Sequence, residues 1–270
     1  MKKLIPLMAV LVVIVACKDK KQDLSPETSL VSKITSARGE WNFFYDADLK
    51  MHEATYSYST YTDKIDFFYN DEGQVDSSTT FAVGYPDEFS SRTFLYNEAG
   101  DLIRYIFSFY RNNQMINADT SDISLTEEGL LRIHKPGAEW GHTWFRYEGG
   151  NVKNSICFDC STSDFDYTYI KEESFLPKKL RKYWNIYTGR KPIDFLSFLE
   201  LGSENLLKDY FGFGPNIVPV ALQNQYEFEP QSGNIMNVKT ILTERPGYVV
   251  PYGRKAGDVW SVYEIAYSEF

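Results

Sequence analysis

The chain has 270 residues, with 28 Lys/Arg against 37 Asp/Glu and a net charge of −9. That balance excludes nucleic acid as a default partner, because polyanions are bound by Lys/Arg-rich faces that displace their counterions. The length suits one large β domain or two modest ones, and an aromatic content of 16%, with 20 Tyr and 19 Phe, predicts sheet, since such side chains fit a pleated surface better than a helix.

Lys2 and Lys3 precede an apolar run from Leu4 to Ala16, and the run ends in Ile14-Val15-Ala16-Cys17. Thirteen residues of helix are too short for a hydrocarbon core of about 30 Å, so the segment reads as a secretory signal rather than a span. A Cys directly after a small residue resembles the lipobox of bacterial lipoproteins. That resemblance implies cleavage before Cys17, a diacylglycerol on its thiol and an acylated new amino terminus. Cleavage removes the two lysines and no acid, which takes the net charge from −9 to −11. Residues 1–16 are then the signal peptide and 17–29 a lipidated tether, polar and interrupted by Pro26. Residues 30–270 form a single β domain.

Within that domain a unit recurs: an aromatic, a short polar turn containing Gly, and an apolar residue two places after the Gly. Phe67-Phe-Tyr-Asn-Asp-Glu-Gly73-Gln-Val75 and Phe94-Leu-Tyr-Asn-Glu-Ala-Gly100-Asp-Leu102 are the best copies, 27 residues apart. Weaker ones centre on Gly129, Gly150 and Gly233, and Tyr45-Asp-Ala-Asp-Leu49 reads as a first copy without its Gly. Asn, Asp and Gly accept the positive φ of a tight reversal, and the flanks alternate, so each copy predicts a β-hairpin. A period near 27 holds two strands and two connections, so the hairpins predict a curved antiparallel meander, open or partly closed like a barrel. Ile103, Tyr105, Phe107 and Phe109 are expected on one face of the strand after Gly100, with Leu102, Ile106 and Tyr110 on the other. A sheet apolar on both sides must be covered twice, curl around its own core, or hold something apolar.

The remaining cysteines form Cys157-Phe-Asp-Cys160 in a stretch that reads as strand. A redox pair needs a helix N-terminus, and two thiolates do not complete a four-ligand zinc site, so a local disulfide across a turn is expected. Between Pro192 and Phe211, two short helices are expected, with Ile193, Leu196, Leu199, Leu206, Leu207 and Tyr210 as their apolar side and Gly202 as a cap. Val259-Trp-Ser-Val-Tyr-Glu-Ile-Ala-Tyr267 alternates and is expected to be the closing strand.

The Tyr-Asn-Asp-Glu-Gly73 and Tyr-Asn-Glu-Ala-Gly100 turns resemble the YD repeats of RHS-type proteins. Together with the lipobox, Leu201-Gly-Ser-Glu-Asn-Leu-Leu207 and Tyr263-Glu-Ile-Ala-Tyr267, the chain from about residue 30 resembles a Bacteroidetes lipoprotein family of unknown function with a porin-like β-sheet. The resemblance implies a curved sheet held at the cell envelope, at the outer membrane, and carries no catalytic motif. Lys18-Asp-Lys-Lys-Gln-Asp23 stands where surface-exported lipoproteins of that phylum often carry an acidic run, so a periplasmic and a surface-facing position both stay open.

No catalytic, cofactor or metal constellation emerges from the residues. His52, His134 and His142 are scattered, with no spacing that puts two ligands on one face. Asp159, Asp164 and Asp166 offer oxygens in no EF-hand pattern. Asp71 with Glu72, and Glu127 with Glu128, read as turn chemistry. A spanning barrel is disfavoured because Ser268 and Ala266 share the face of the terminal Phe270. The expected function is a membrane-anchored, non-enzymatic binding or scaffold protein whose glycan, lipid or protein ligand is not specified by sequence. The alternative is an envelope glycan hydrolase, which needs two carboxylates about 5–10 Å apart.

Overall fold

The computed structural model describes residues 29–269 apart from 38, 86, 127–129, 137–143, 158–162, 174–175, 177, 189–204, 215–216, 229–234 and 245–252. The strands in chain order are β1 (Ser29–Ser36), β2 (Gly39–Tyr45), β3 (Met51–Tyr58), β4 (Tyr61–Tyr69), β5 (Val75–Ala82), β6 (Glu88–Tyr96), β7 (Leu102–Arg111) and β8 (Gln114–Leu125). They continue with β9 (Leu130–His134), β10 (Trp144–Glu148), β11 (Asn151–Cys157) and β12 (Ser163–Glu173). Two short helices follow, α1 (Lys178–Arg181) and α2 (Trp184–Thr188), and then β13 (Asn205–Gly214), β14 (Ile217–Phe228), β15 (Ile235–Leu242) and β16 (Val259–Glu269).

The expected antiparallel meander is borne out, and the ladder runs all the way round. Every strand pairs with the next, and β16 pairs with β1 from Ser29↔Glu269 to Ser36↔Tyr263, which closes the barrel. The closing role of Tyr263-Glu-Ile-Ala-Tyr267 is therefore literal. Alternation then sorts the side chains. Ile34, Trp41, Phe43, Ile65, Phe67, Phe94, Val238, Tyr263 and Ile265 point into the barrel and are buried. The outer wall carries cross-strand ion pairs instead: Lys33–Glu40 at 2.8 Å, Lys64–Glu53 at 2.7 Å, Arg104–Asp122 at 2.5 Å and Lys239–Glu227 at 3.0 Å. Among the described residues the inner face is mainly apolar, and the outer face sets these ion pairs beside exposed apolar side chains such as Phe44, Phe68, Leu95 and Val262.

The repeat has a mechanical basis that its turn residues only partly express. Asn70 accepts from Gly73 N–H on its carbonyl (2.9 Å) and from Gln74 N–H on its side chain (2.8 Å), and Asn97 makes the same two bonds with Gly100 and Asp101 (2.9 and 2.8 Å). Gly73 and Gly100 take φ of 72° and 83°, Gly150 79°, and Leu49 stands in the same place at 60°. In that first copy Asp46 accepts from Leu49 N–H at 3.0 Å and from Lys50 N–H at 2.9 Å, so the Gly-less copy forms the same turn. Gly129 and Gly233 lie outside the described residues.

After four of these turns the returning strand carries one extra residue, seen as register shifts at Phe44/Tyr45, Phe68/Tyr69, Leu95/Tyr96 and Arg146/Tyr147. The bulge lets the first residue of the strand face inward while the next paired residue faces out. It also corrects the expected faces of β7. Leu102 is buried on the same side as Tyr105 and Phe107, whereas Ile103 is the bulged residue and is exposed. Three of the repeat tyrosines then donate to a neighbouring strand: Tyr45 to Val31 carbonyl (2.8 Å), Tyr69 to Met51 carbonyl (2.6 Å) and Tyr96 to Val75 carbonyl (2.7 Å). The acceptors Met51 and Val75 are the apolar residues that close the preceding repeat, so the Tyr stitches one hairpin to the one before it.

Helix is found, but not where composition placed it. Leu206, Leu207 and Tyr210 belong to β13, because β12 and β14 both need a hydrogen-bonding neighbour and β13 supplies it, with Tyr210 opposite Tyr167 on one side and Leu222 on the other. The expected helix over 192–211 is thus corrected for its second half; Ile193, Leu196, Leu199 and Gly202 lie outside the described residues. The helices are instead α1 and α2, whose neighbourhood buries Leu176, Leu180, Tyr183, Trp184 and Tyr187. Trp184 packs on Trp41, Phe43 and Phe67 at centroid distances of 6.0, 6.1 and 5.8 Å. The pair plugs the lumen at the end where the tyrosine turns lie: Tyr187 hydroxyl meets Tyr96 hydroxyl at 3.0 Å, and Tyr147 donates to Lys182 carbonyl at 3.1 Å.

Candidate functional site

The plug gives the barrel two unlike ends. At the tyrosine end, Tyr96 gives its only proton to Val75 carbonyl, so the 3.0 Å contact to Tyr187 requires Tyr187 to be the donor. Burial pushes the Tyr96 hydroxyl up to about 12 and raises Tyr187 as well. These groups stay protonated and structural.

The opposite end, formed by the β3–β4, β5–β6 and β7–β8 turns, is the mouth. Two rows of inward-facing residues lead to it. Phe67, Ser78, Arg92 and Phe107 are mutual partners across β4–β7, and Ile65, Thr80, Ser90 and Phe109 form the next row toward the opening. Ser78 is fully buried and donates to Tyr187 carbonyl at 2.5 Å, so the first row rests on the plug. Above it lies a cavity of about 450 Å³ with Arg92 and Phe107 on its floor, Thr80, Ser90 and Phe109 on its wall, and Asp63, Ala82 and Glu88 at its rim. The β7–β8 turn at this rim is Asn112-Asn113, both at positive φ (51° and 59°), a two-residue hairpin that the Asn-Asn pair selects.

Arg92 is the unusual member. Its residue is 9% exposed, its guanidinium lies 5.1 Å from the Phe107 ring centroid, and Nη1 is buried with no hydrogen-bond partner among the described residues. No carboxylate among the described residues pairs with it. Burial lowers its pKa but leaves it far above neutrality, since guanidinium does not deprotonate in proteins. Thr80 Oγ1, one row nearer the mouth, is also buried without a partner. By contrast Glu88 at the rim is engaged by Arg111 Nε at 2.8 Å. Buried polar atoms left unsatisfied cost about 1–3 kcal/mol each, more for a charge, and such costs persist where a ligand supplies the missing partner.

Of the apolar face expected on β7, Phe107 and Phe109 line this cavity, whereas none of the titratable residues singled out by sequence does. His52 is the exposed bulge residue of β3, His134 ends β9, and His142 lies outside the described residues. Asp164 and Asp166 sit in β12 opposite Ile156 and Asn154, and Asp159 lies outside the described residues. Asp71 and Glu72 occupy the turn after Asn70, as expected; Glu127 and Glu128 lie outside the described residues. No group of three or more His, Cys, Asp or Glu among the described residues could hold a metal ion. Cys157 closes β11 and pairs with Ser163 of β12; residues 158–162, Cys160 among them, and Cys17 lie outside the described residues. Arg92 was legible only as one residue of the alternating Phe89-Ser-Ser-Arg-Thr-Phe94, where a cation on the Phe94 face, two places before it, is the one signal that could have marked it.

No family model matches the chain, and no curated protein matches it. Among solved structures it is similar to a porin-like protein from Bacteroides uniformis at 12% identity, over 90% of this chain and 98% of that one, with a TM-score of 0.36.

Proposed function

We propose that the protein is a lipid-anchored, extracytoplasmic binding protein of the Bacteroidetes lipoprotein kind, which takes its ligand into the barrel mouth. The observation that carries this reading is the open 450 Å³ cavity whose floor and wall hold two buried, unpartnered polar groups, Arg92 Nη1 and Thr80 Oγ1. Chain direction supports it. β1 begins at Ser29 beside Glu269 and runs from the tyrosine end toward the mouth. A lipid on Cys17 therefore holds the plugged end toward the membrane through residues 18–28, which reach at most about 40 Å when extended. The mouth then faces away from the bilayer.

The hydrolase alternative asks for a carboxylate pair free to act on a scissile bond, and of the two rim carboxylates, Asp63 and Glu88, Glu88 is committed to Arg111. A glycan, lipid and small-molecule array on the full chain in non-ionic detergent tests the binding reading, with Ala82→Trp to block the rim. Binding lost in Ala82→Trp is expected. Binding unchanged by that substitution contradicts a mouth site, and turnover abolished by Asp63→Asn or Glu88→Gln contradicts the non-enzymatic reading.

A further inference from the structure

Resting on the mouth as the binding site, we propose that Arg92 and Thr80 receive the carboxylate of a small, flat apolar acid whose body lies against Phe109 and Ala82. A guanidinium buried beneath a cavity, with no carboxylate among the described residues paired to it, is a charge without its counterion. The guanidinium carbon lies 5.1 Å from the Phe107 ring centroid and Nη1 is left without a partner among the described residues; the planar fork of Arg matches a carboxylate in two parallel hydrogen bonds. Thr80 Oγ1 adds a hydroxyl donor one row higher. Ser78, by contrast, donates to the plug, so Arg92 Nη1 and Thr80 Oγ1 are the cavity-lining polar atoms that are buried without a partner among the described residues.

The rest of the cavity selects what the carboxylate is attached to. Phe107, Phe109 and Ala82 offer apolar surface, and a volume of about 450 Å³ suits a small molecule rather than an oligosaccharide. The rim carries Asp63 and the Glu88–Arg111 pair, so the charge surrounding Arg92 favours a monoanion over a dianionic phosphate.

The test is calorimetric titration of the full chain in non-ionic detergent with phenylacetate, its uncharged isostere phenylacetamide, and phenyl phosphate. Saturable phenylacetate binding is expected, with phenylacetamide and phenyl phosphate each at least tenfold weaker. Arg92→Met is expected to lose at least tenfold in phenylacetate affinity without lowering the melting temperature of the ligand-free protein, because it removes an uncompensated buried charge. Arg92→Lys, which keeps the charge but loses the fork, is expected to lose several-fold and serves if the Met variant does not fold. Equal affinity for acid and amide, unaltered binding in the Arg92 variants, or a marked fall in ligand-free melting temperature in Arg92→Met would overturn the proposal. So would preference for phenyl phosphate, or no acid bound up to about 10 mM. If none of the acids binds but an array ligand does and is lost in Ala82→Trp, the carboxylate proposal falls while mouth binding stands.

Discussion

Replacing Tyr96 and Tyr69 by Phe separates the stitch from the plug. Both hydroxyls donate to a carbonyl of the preceding hairpin, at 2.7 Å to Val75 and 2.6 Å to Met51, but Tyr96 alone also receives the Tyr187 hydroxyl at 3.0 Å. Tyr69→Phe deletes one hydrogen bond, a loss of about 1 kcal/mol; Tyr96→Phe deletes one and strands the Tyr187 proton in a buried site, for about 2–3 kcal/mol. Tyr187→Phe removes that stranded donor, so the double variant Tyr96→Phe/Tyr187→Phe should cost less than the sum of the singles, with a coupling of about 1 kcal/mol. Urea unfolding at pH 8 reads these values. The pH dependence gives a second arm. Tyr96 titrates near 10 unfolded and at about 12 folded, so its stabilisation is complete below pH 10 and is lost as pH rises toward 12. Stability should therefore fall less steeply between pH 10 and 12 in Tyr96→Phe than in wild type. Equal losses for Tyr69→Phe and Tyr96→Phe, full additivity with Tyr187→Phe and an unchanged alkaline limb would together refute a tyrosine-linked plug.

The remaining predictions concern single features of the chain. Leu49→Gly relieves a left-handed residue (φ 60°) at the glycine place of the turn, and urea unfolding should show about 0.5–1 kcal/mol of added stability; destabilisation would contradict the shared turn. Trp184→Ala empties the centre of the plug, where the ring is 1% exposed, and should cost about 3–5 kcal/mol by the same assay, with a loss under 1 kcal/mol counting against a packed lumen. Cys17→Ser should leave uncut, unlipidated precursor on immunoblots, and mature-sized protein still in the membrane fraction would speak against lipidation. Thiol titration of protein purified without reductant should find Cys157 and Cys160 oxidised, free thiols at both being the contrary result.

How much of this was legible follows from what each signal depends on. The hairpins were readable because Asn70, Gly73, Asn97 and Gly100 encode local φ and local hydrogen bonds, and even Leu49 fell into register with them. The bulges at Ile103 and its counterparts were not, since an extra residue is visible only against the partner strand. The plug does carry a signal: Leu176, Leu180, Tyr183, Trp184 and Tyr187 fall at helical spacing, all buried in the structure. The stretch around Leu206 looked helical in isolation and became strand because β12 and β14 needed a neighbour, a tertiary demand that outweighs propensity. Arg92 and Thr80 became a site only when barrel closure and the plug enclosed them together, which no spacing in the sequence expresses.

The central claim is that ligand enters the mouth and not the plugged end or the outer wall, and hydrogen exchange of the full chain with and without its best array ligand tests it most directly. The account predicts slowed exchange in peptides covering 78–92 and 105–111, with 46–50, 70–74 and 97–101 unchanged. Protection at those three turns, with exchange at 78–92 unaltered, would contradict it.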